Sequence, residues 1–271
     1  ALPIFDFSVV VMCCLGWLLY RYAHRMDERI SREQMEKQNQ MRRQLTQNIA
    51  HELKTPVASI LGYTDTILDN PDIAAETKHQ FIRRTNAQAR RLTALLQDIS
   101  TLNRMDYAPD MLAMERIDIS RIMADIAEET ALVVGTKQMR LNNCLPEDVC
   151  VQSNWSLVYS IFRNLMDNAI NYAGNGASIE ISAEDQGSHW AFTFRDNGVG
   201  IPAEHLHRIF ERFYRVDKGR SRQMGGTGLG LAIVKNAILL HGGQISAKKA
   251  DGGGLQFDFT LRKQYVCPTC Q

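Results

Sequence analysis

The segment HELKTP, residues 51–56, contains side chains suited to accepting a phosphoryl group. Histidine is the side chain that is largely neutral yet basic near pH 7, and a neutral imidazole has a ring nitrogen whose lone pair can attack phosphorus. Glu52 follows His51 directly and can accept a hydrogen bond from the other ring nitrogen. Thr55, four residues further on, shares the helical face of His51. A solvated helix surface can also present such a pair, so HELKTP alone does not decide the function.

A second polar group lies in NLMDNAINY, residues 164–172. Asn164, Asn168 and Asn171 recur at steps of four and three, which places them in one stripe of a helix beside an apolar stripe. Asparagine is a mediocre helix former, so three aligned amides favour a functional reason. Amide oxygens suit a hard cation such as Mg²⁺, which in turn bridges nucleotide phosphates. A helix edge that hydrogen-bonds a loop is the alternative.

Two glycine-rich segments follow, DNGVGIP at 196–202 and GGTGLGLAIVK at 225–235. Glycines leave backbone N–H groups free to approach phosphate, and the second segment opens a helix whose N-terminus favours anions. Neither segment has the ending of a Walker loop or the setting of a dinucleotide-binding turn. Asp196 ends a predicted strand, where its carboxylate can accept a hydrogen bond from the amine of adenine. Between the two glycine-rich segments, residues 209–223 combine aromatic and basic side chains. This combination fits either a hinged lid over the phosphates or a solvated loop.

Long helices are predicted to position the histidine, because residues 26–103 contain little Gly or Pro and have apolar residues at helical spacing. The sequence DNPDI, around Pro71, divides this stretch into two helices. His51 lies about 200° around the first helix from both Ile49 and Leu53, which directs it away from the apolar seam. The predicted seam consists of Met41, Leu45, Ile49, Leu53, Pro56, Ile60, Tyr63 and Ile67 on the first helix, and Phe81, Leu92, Leu95, Ile99 and Leu102 on the second.

A hairpin of two helices buries only one face, so a four-helix bundle built from two chains completes its core. The sequence therefore predicts a homodimer. After residue 103 short β-rich runs are mixed with helices, which predicts an α+β fold with an α/β sandwich domain. Strands are predicted at 116–119, 139–144, 149–152, 178–184, 190–195, 244–248 and 255–261, helices at 121–134, 155–172 and 230–241, and a linker at 104–110.

The overall composition excludes some classes of protein. The 31 Lys and Arg residues balance 30 Asp and Glu residues, so no net charge steers the chain toward nucleic acid, and we expect no nucleic-acid partner. The six cysteines are too scattered for a secreted disulfide framework, which favours a reducing compartment. Cys267 and Cys270 form half a zinc site in a short tail. We interpret it as a solvated tail, with redox sensing or crosslinking as the alternative.

Residues 7–20, FSVVVMCCLGWLLY, form an uncharged apolar run followed by Arg21, Arg25 and Arg29. A cationic flank is typical of the cytoplasmic side of a membrane helix. A full span needs about 20 apolar residues. We therefore expect a truncated transmembrane helix at 1–22 that anchors the protein in the cell (inner or cytoplasmic) membrane, with everything downstream in the cytoplasm. A buried core helix or an uncleaved signal region is the alternative.

Taken together, these segments resemble the sensor histidine kinases of two-component systems. IAHELKTPVASILGY resembles the phosphoacceptor box of that family, and the downstream segments resemble the N, first glycine, F and second glycine boxes of its ATP-binding domain. This Bergerat, or GHKL-like, fold is shared with gyrase and Hsp90 ATPases. The likeness covers about residues 41–261. The predicted organisation is a transmembrane helix at 1–22, a signalling linker helix at 23–40, a dimerisation and phosphotransfer domain at 41–104, an ATP-binding catalytic domain at 105–262 and a tail at 263–271.

The resemblance implies that His51 receives the phosphoryl group of ATP, that Glu52 is the general base, and that Thr55 helps to place water for dephosphorylating a response regulator. It also implies transfer of the phosphoryl group to an Asp of that regulator's receiver domain. Asn164 and Asn168 are the implied Mg²⁺ ligands, and Asp196 the implied adenine contact. The implied nucleotide-binding positions are Asn164, Asn168, Asn171, Tyr172, Asp196, Gly198, Gly200, Lys218, Gly226, Thr227, Gly228, Leu229 and Gly230.

Two other functions fit part of the sequence. An ATPase of the gyrase or Hsp90 type shares the ATP-binding segments but uses water as the nucleophile, and HELKTP argues against it. A non-catalytic scaffold that only dimerises and binds a regulator is supported by one departure. Many histidine kinases have Lys or Arg where this chain has Asn171. A cationic side chain there contacts the phosphates, so whether Asn171 makes this contact is an open question.

Overall fold

The computed structural model describes residues 2–107, 113–217 and 226–264. These fall into two compact units, residues 1–55 and 56–271. The first unit belongs to helix α1 (Leu2–Asp69), which runs without interruption through the predicted linker and phosphoacceptor segments. Among the helices in the described part of the chain, none is both long and apolar enough to cross a membrane. The membrane helix expected at 1–22 stays a prediction.

The second unit begins with a helical hairpin made by the end of α1 and helix α2 (Ala75–Tyr107). At the end of α1 the Asn70 amide donates a hydrogen bond to the Thr66 carbonyl oxygen at 2.8 Å. Tyr63 of α1 stacks on Phe81 of α2 with their ring centroids 5.4 Å apart. Both rings belong to the predicted apolar seam, so the seam joins the two helices as the sequence indicates.

The hairpin also has a second apolar face. Its side chains are 41–75% exposed and lie outside the predicted seam: Val57, Leu61 and Leu68 on α1, and Ile82 and Leu96 on α2. Several large apolar side chains on one small hairpin are more than the scattered singles typical of a monomer surface. This face is what the predicted dimer would bury.

The end of α2 differs from the prediction, which placed an interdomain linker at 104–110. The helix continues to Tyr107. Met105 is buried, and the Asp106 carboxylate pairs with the Arg212 guanidinium at 2.8 Å, so both tertiary contacts hold the last turn in helical form. The rest of the predicted linker, from 108 onward, lies outside the described residues.

The remainder of the unit is an α+β domain, which confirms the predicted fold class. Its elements are β1 (Glu115–Asp118), α3 (Ile119–Thr136), β2 (Arg140–Cys144), β3 (Cys150–Ser153), α4 (Trp155–Tyr172), β4 (Ser178–Asp185), β5 (His189–Asp196), a 3-10 turn (Ala203–His205), α5 (Gly230–Leu240), β6 (Ile245–Lys249) and β7 (Leu255–Arg262). A five-stranded sheet has the order β2-β4-β5-β7-β6, in which only the β2–β4 pair is parallel. β1 and β3 form a separate antiparallel pair.

The core lies between one face of this sheet and the helices. Along β5, Trp190, Phe192 and Phe194 alternate as buried residues, because successive side chains of a strand point to opposite faces. Phe162 of α4 packs edge-on against Phe192, with ring centroids 5.6 Å apart, and Phe192 stacks on Phe259 of β7 at 5.0 Å. This aromatic cluster fixes α4 on the sheet and so positions the polar stripe of α4.

Candidate active site

The phosphoacceptor candidates occupy one turn of α1 in the first unit. His51 is exposed, as its angle from the seam predicts, while Glu52 is half-buried. The exposed Thr55 hydroxyl donates a hydrogen bond to the His51 carbonyl oxygen at 3.3 Å, so it lies on the same side of the helix one turn later. This turn therefore presents an imidazole, a carboxylate and a hydroxyl close together on a helix surface.

The ATP-site candidates surround a cavity of about 550 Å³ in the second unit. Such a volume is ordinary for a site that binds a small molecule. Predicted residues that line it are Asn164, Asn168, Asn171, Tyr172, Asp196, Gly200, Gly226, Thr227, Gly228 and Gly230. Gly198 and Leu229 do not line it, and Lys218 lies outside the described residues.

The amide stripe of α4 forms one wall of the cavity. The helix is capped by Asn154, whose side-chain oxygen accepts a hydrogen bond from the Leu157 N–H at 3.3 Å. The Asn164 amide nitrogen donates to the Ser160 carbonyl oxygen at 2.7 Å, which leaves the amide oxygen directed outward from the helix. A side chain at Gly230 would place its Cβ 2.5 Å from this oxygen, so glycine is needed there for the close approach of α5 to α4.

Asp196 stands at the end of β5 and is only 6% exposed. One carboxylate oxygen accepts a hydrogen bond from the Gly198 N–H at 2.9 Å. Burial raises the pKa of Asp196, and backbone hydrogen bonds from Gly198 and Leu255 oppose that rise. Gly198 is required for this turn, since a Cβ there would lie 2.3 Å from the Ala173 backbone. The carboxylate is thus held in place as a largely buried hydrogen-bond acceptor.

The aromatic and second glycine segments are joined by backbone contacts. The Phe213 N–H donates to the Gly228 carbonyl oxygen at 2.8 Å, and the Arg215 guanidinium donates to the Gly226 carbonyl oxygen at 2.8 Å. Leu229 is completely buried and does not line the cavity, so its place among the nucleotide-binding positions stays a prediction. Its apolar side chain anchors the start of α5 in the core.

The electrostatic character of the cavity was not evident from the sequence. Four aspartates line it, Asp98, Asp167, Asp196 and Asp217. Arg215 is the only cationic side chain among the described lining residues. Arg215 belongs to the predicted basic loop but was not singled out, and Asp98 was missed because it belongs to α2. A signal for Asp98 existed, since it is a carboxylate placed between the buried positions Leu95 and Leu102.

The residues present fit a cation bound through oxygen. Among the described residues, no group of three or more His, Cys, Asp or Glu side chains is arranged to hold a metal by itself. The cavity instead presents amide oxygens of Asn164 and Asn168 beside Asp167. Neutral and anionic oxygens of this kind suit Mg²⁺, which usually completes its coordination with water and substrate phosphates.

Two family matches cover most of the described chain. Residues 154–265 match the family described as histidine kinase-, DNA gyrase B-, and HSP90-like ATPase. Residues 41–108 match the His Kinase A (phospho-acceptor) domain. The first of these matches begins just before α4 and covers the later part of the sheet domain, and the second covers the helical hairpin.

Individual proteins give the same result. The chain is 32% identical over 236 residues to the sensor histidine kinase WalK of Bacillus subtilis (strain 168), a match that covers 84% of this chain and 38% of WalK. It is 32% identical over 223 residues to the sensor-like histidine kinase SenX3 of Mycolicibacterium smegmatis, covering 81% of this chain and 57% of SenX3. The chain therefore spans between about a third and three fifths of the length of these relatives.

A solved structure shares the fold. The histidine kinase ThkA, crystallised in complex with the response regulator protein TrrA, superimposes with a TM-score of 0.66 and 22% sequence identity. The superposition covers 81% of this chain and 61% of the matched chain.

Proposed function

The chain belongs to the sensor histidine kinases of two-component systems, and we propose that it transfers the γ-phosphoryl group of ATP to His51. The observation that carries this proposal is the pairing, in one chain, of two features. One is an exposed histidine with Glu52 and Thr55 on its turn, and the other is a cavity with aligned amides and a buried Asp196.

The cavity supports ATP binding residue by residue. Asp196 accepts a hydrogen bond from the exocyclic amine of adenine, and Tyr172 contacts the base or sugar from the end of α4. Asn164 and Asn168 would hold Mg²⁺ through their amide oxygens, and the ion would offset the negative charge of the phosphates. Arg215 lines the cavity, and this supports a proposed role for it as the cation that contacts the phosphates, since Asn171 carries no charge.

The chemistry at His51 is nucleophilic substitution at phosphorus. A ring nitrogen of His51 forms a bond to the γ-phosphorus while the bond from that phosphorus to the β–γ bridging oxygen breaks, and ADP leaves with that electron pair. The imidazolium formed by the attack loses its other ring proton to Glu52, so the carboxylate acts as general base. Protein groups contribute mainly by positioning the reactants and balancing charge, as expected for a loose phosphoryl transition state.

The downstream partner is proposed to be a response regulator. The crystallised complex of ThkA with the response regulator protein TrrA supports this, since the two kinases share a fold. The phosphoryl group then passes from His51 to an Asp of the receiver domain. In the opposing phosphatase activity, Thr55 places the water that hydrolyses the phosphorylated Asp. A homodimer is supported by the exposed apolar side chains of the hairpin, which include Val57 and Leu61.

Attachment to the cell membrane, with the catalytic region in the cytoplasm, is also proposed. Its support is the uncharged run at 7–20 and the arginines that follow it. Fractionation of cells that express the chain tests it: recovery in the membrane pellet after a high-salt wash is expected. Recovery in the supernatant alone would refute it.

The kinase activity is tested by incubation with γ-labelled ATP and Mg²⁺. Wild-type protein should acquire an acid-labile, alkali-stable label that is lost in His51→Gln and kept in the control His207→Gln, which changes an exposed histidine outside the site. ATP hydrolysis without a protein label would instead indicate an ATPase of the gyrase or Hsp90 type. Nucleotide binding with neither label nor hydrolysis would indicate the scaffold function.

A further inference from the structure

Helix α2 forms part of the wall of the proposed nucleotide cavity, through Ala94 and Asp98. The Thr227 hydroxyl donates a hydrogen bond to the Asp98 carboxylate at 2.7 Å. The same hydroxyl oxygen accepts a hydrogen bond from the Leu229 N–H at 3.2 Å. Thr227 therefore links the hairpin to the glycine segment that opens α5.

A second contact holds α2 against the same domain. The Arg212 guanidinium donates to both oxygens of the Asp106 carboxylate, at 3.0 and 2.8 Å. Both side chains are about 30% exposed, so solvent screens this pair only in part. Asp106 lies eight residues beyond Asp98, or about 12 Å along the helix. The two contacts thus attach α2 to both chain segments, aromatic and glycine-rich, that border the cavity.

The charge at the first contact is unfavourable for a polyphosphate ligand. Asp98 lies near Asp167, another carboxylate of the cavity wall. Burial raises the pKa of Asp98, the hydrogen bond from Thr227 opposes the rise, and Asp167 adds to it. A nucleoside triphosphate brings several further negative charges into the same cavity, and like charges in a partly dry site repel strongly.

We propose that Asp98 is a charge gate of the nucleotide site, so that docking of α2 through Thr227 and Arg212 and binding of a nucleoside polyphosphate oppose each other. The proposal rests on the nucleotide site proposed above. By thermodynamic linkage, any movement of the hairpin that withdraws Asp98 raises the affinity for ATP, and bound ATP favours withdrawal by the same factor. The hairpin would in this way control access to the phosphate donor.

The variant Asp98→Asn tests the charge while preserving the contact, since an amide oxygen still accepts a hydrogen bond from Thr227. Calorimetric Kd values for Mg·ATP and for adenosine are compared in wild type, Asp98→Asn and the control Glu76→Gln, which removes an exposed carboxylate from the same helix. We expect Asp98→Asn to tighten Mg·ATP binding at least about fivefold, the lower end of usual coupling between sites. Adenosine, which has no phosphates, should change less than about twofold.

The result that overturns the gate is an unchanged or weaker affinity of Asp98→Asn for Mg·ATP. Weaker binding would identify Asp98 as a ligand of the metal or the nucleotide. If wild type binds Mg·ATP and Asp98→Asn has the same Kd, the proposed role of Asp98 is refuted while the proposed nucleotide site is retained. If wild type binds no Mg·ATP at all, the proposed nucleotide site fails with it.

A charge exchange tests the docking contact separately. Asp106→Arg and Arg212→Asp each break the ion pair, whereas the double variant restores it with reversed polarity. Each single variant loses the ion pair that docks α2, so it should bind Mg·ATP more tightly than wild type. The double variant forms the pair again with reversed charges, so its Kd should return to within about twofold of the wild-type value. Thermal unfolding of all three variants checks that they are folded. Single variants with the wild-type Kd, or a double variant that stays as tight as the singles, overturn the role of docking.

Discussion

The variant Asp196→Asn isolates one hydrogen bond in the proposed adenine site. Asp196 is 6% exposed, and one of its oxygens accepts the Gly198 N–H at 2.9 Å. An asparagine has the same shape and can keep that bond through its amide oxygen. The other carboxylate oxygen becomes an NH₂ group, which cannot accept a hydrogen bond from the amine of adenine. The change therefore affects the ligand more than the turn.

The size of the effect follows from the chemistry of the pair. A hydrogen bond to a charged group contributes about 1.5–3 kcal/mol. At about 1.4 kcal/mol per factor of ten, this predicts a Kd for Mg·ATP that is about 10- to 150-fold weaker in Asp196→Asn. Burial of the Asp196 carboxylate raises its pKa, so a neutral replacement avoids the cost of a buried charge, but it also weakens the hydrogen bonds from the Gly198 and Leu255 N–H groups; we therefore expect the free energy of unfolding to change little.

Titration calorimetry of wild type, Asp196→Asn and the control Asp251→Asn measures both quantities, with thermal unfolding in parallel. Asp251 is an exposed aspartate in a turn, so its variant should match wild type. The reasoning is refuted if Asp196→Asn binds Mg·ATP with the wild-type Kd while Asp251→Asn does too. It is also refuted if the weaker binding comes only with a large loss of stability, since the turn would then depend on the charge.

Two further predictions concern packing and pH. Gly230→Ala would place a Cβ 2.5 Å from the Asn164 amide oxygen and displace it, so we expect a folded protein with about tenfold lower kcat/KM for ATP, equivalent to one lost interaction of about 1.4 kcal/mol. Gly135→Ala, whose Cβ meets no atom within 4 Å, is the matched control and should be neutral; equal activities would remove the proposed role of Asn164. Burial lowers the pKa of His241 from 6.5, and its Nε2 lies against the Ser153 hydroxyl. The unfolded chain therefore binds the extra proton first, and the free energy of unfolding should fall as the pH drops below 6.5, by at most about 1.4 kcal/mol per pH unit. Denaturant titrations from pH 7 to 5 should show a shallower slope in His241→Gln and an unchanged slope in His207→Gln; identical slopes in all three would contradict the burial of a neutral imidazole.

The sheet domain was predictable because its local patterns agree with its packing. The alternation of Trp190, Phe192 and Phe194 indicates a strand with one buried face, and the structure pairs that strand on both sides. Helix α4 begins and ends where the sequence predicts, since Asn154 caps it and Tyr172 is its last residue. Every predicted strand and helix of this domain lies within two residues of an observed one.

The features that sequence reasoning missed depend on contacts between distant residues. The position of Asp98 between Leu95 and Leu102 marks it as unusual, but its place in the cavity wall and its hydrogen bond to Thr227, 129 positions away, depend on the tertiary fold. The last turn of α2 likewise depends on Arg212, which is 106 residues from its partner. Leu229 is completely buried, and its membership of the glycine segment does not by itself tell whether a side chain faces the ligand or the core.

The continuity of α1 has a consequence for how residues 23–40 relate to His51. A single α-helix connects them, and each residue of a helix turns the chain by about 100°. Inserting one residue into 23–40 therefore rotates His51 by about 100° relative to whatever precedes it, whereas inserting seven returns it to within about 20°. The number of residues in the linker thus determines both how far His51 lies from the start of α1 and the direction around the helix axis in which it points.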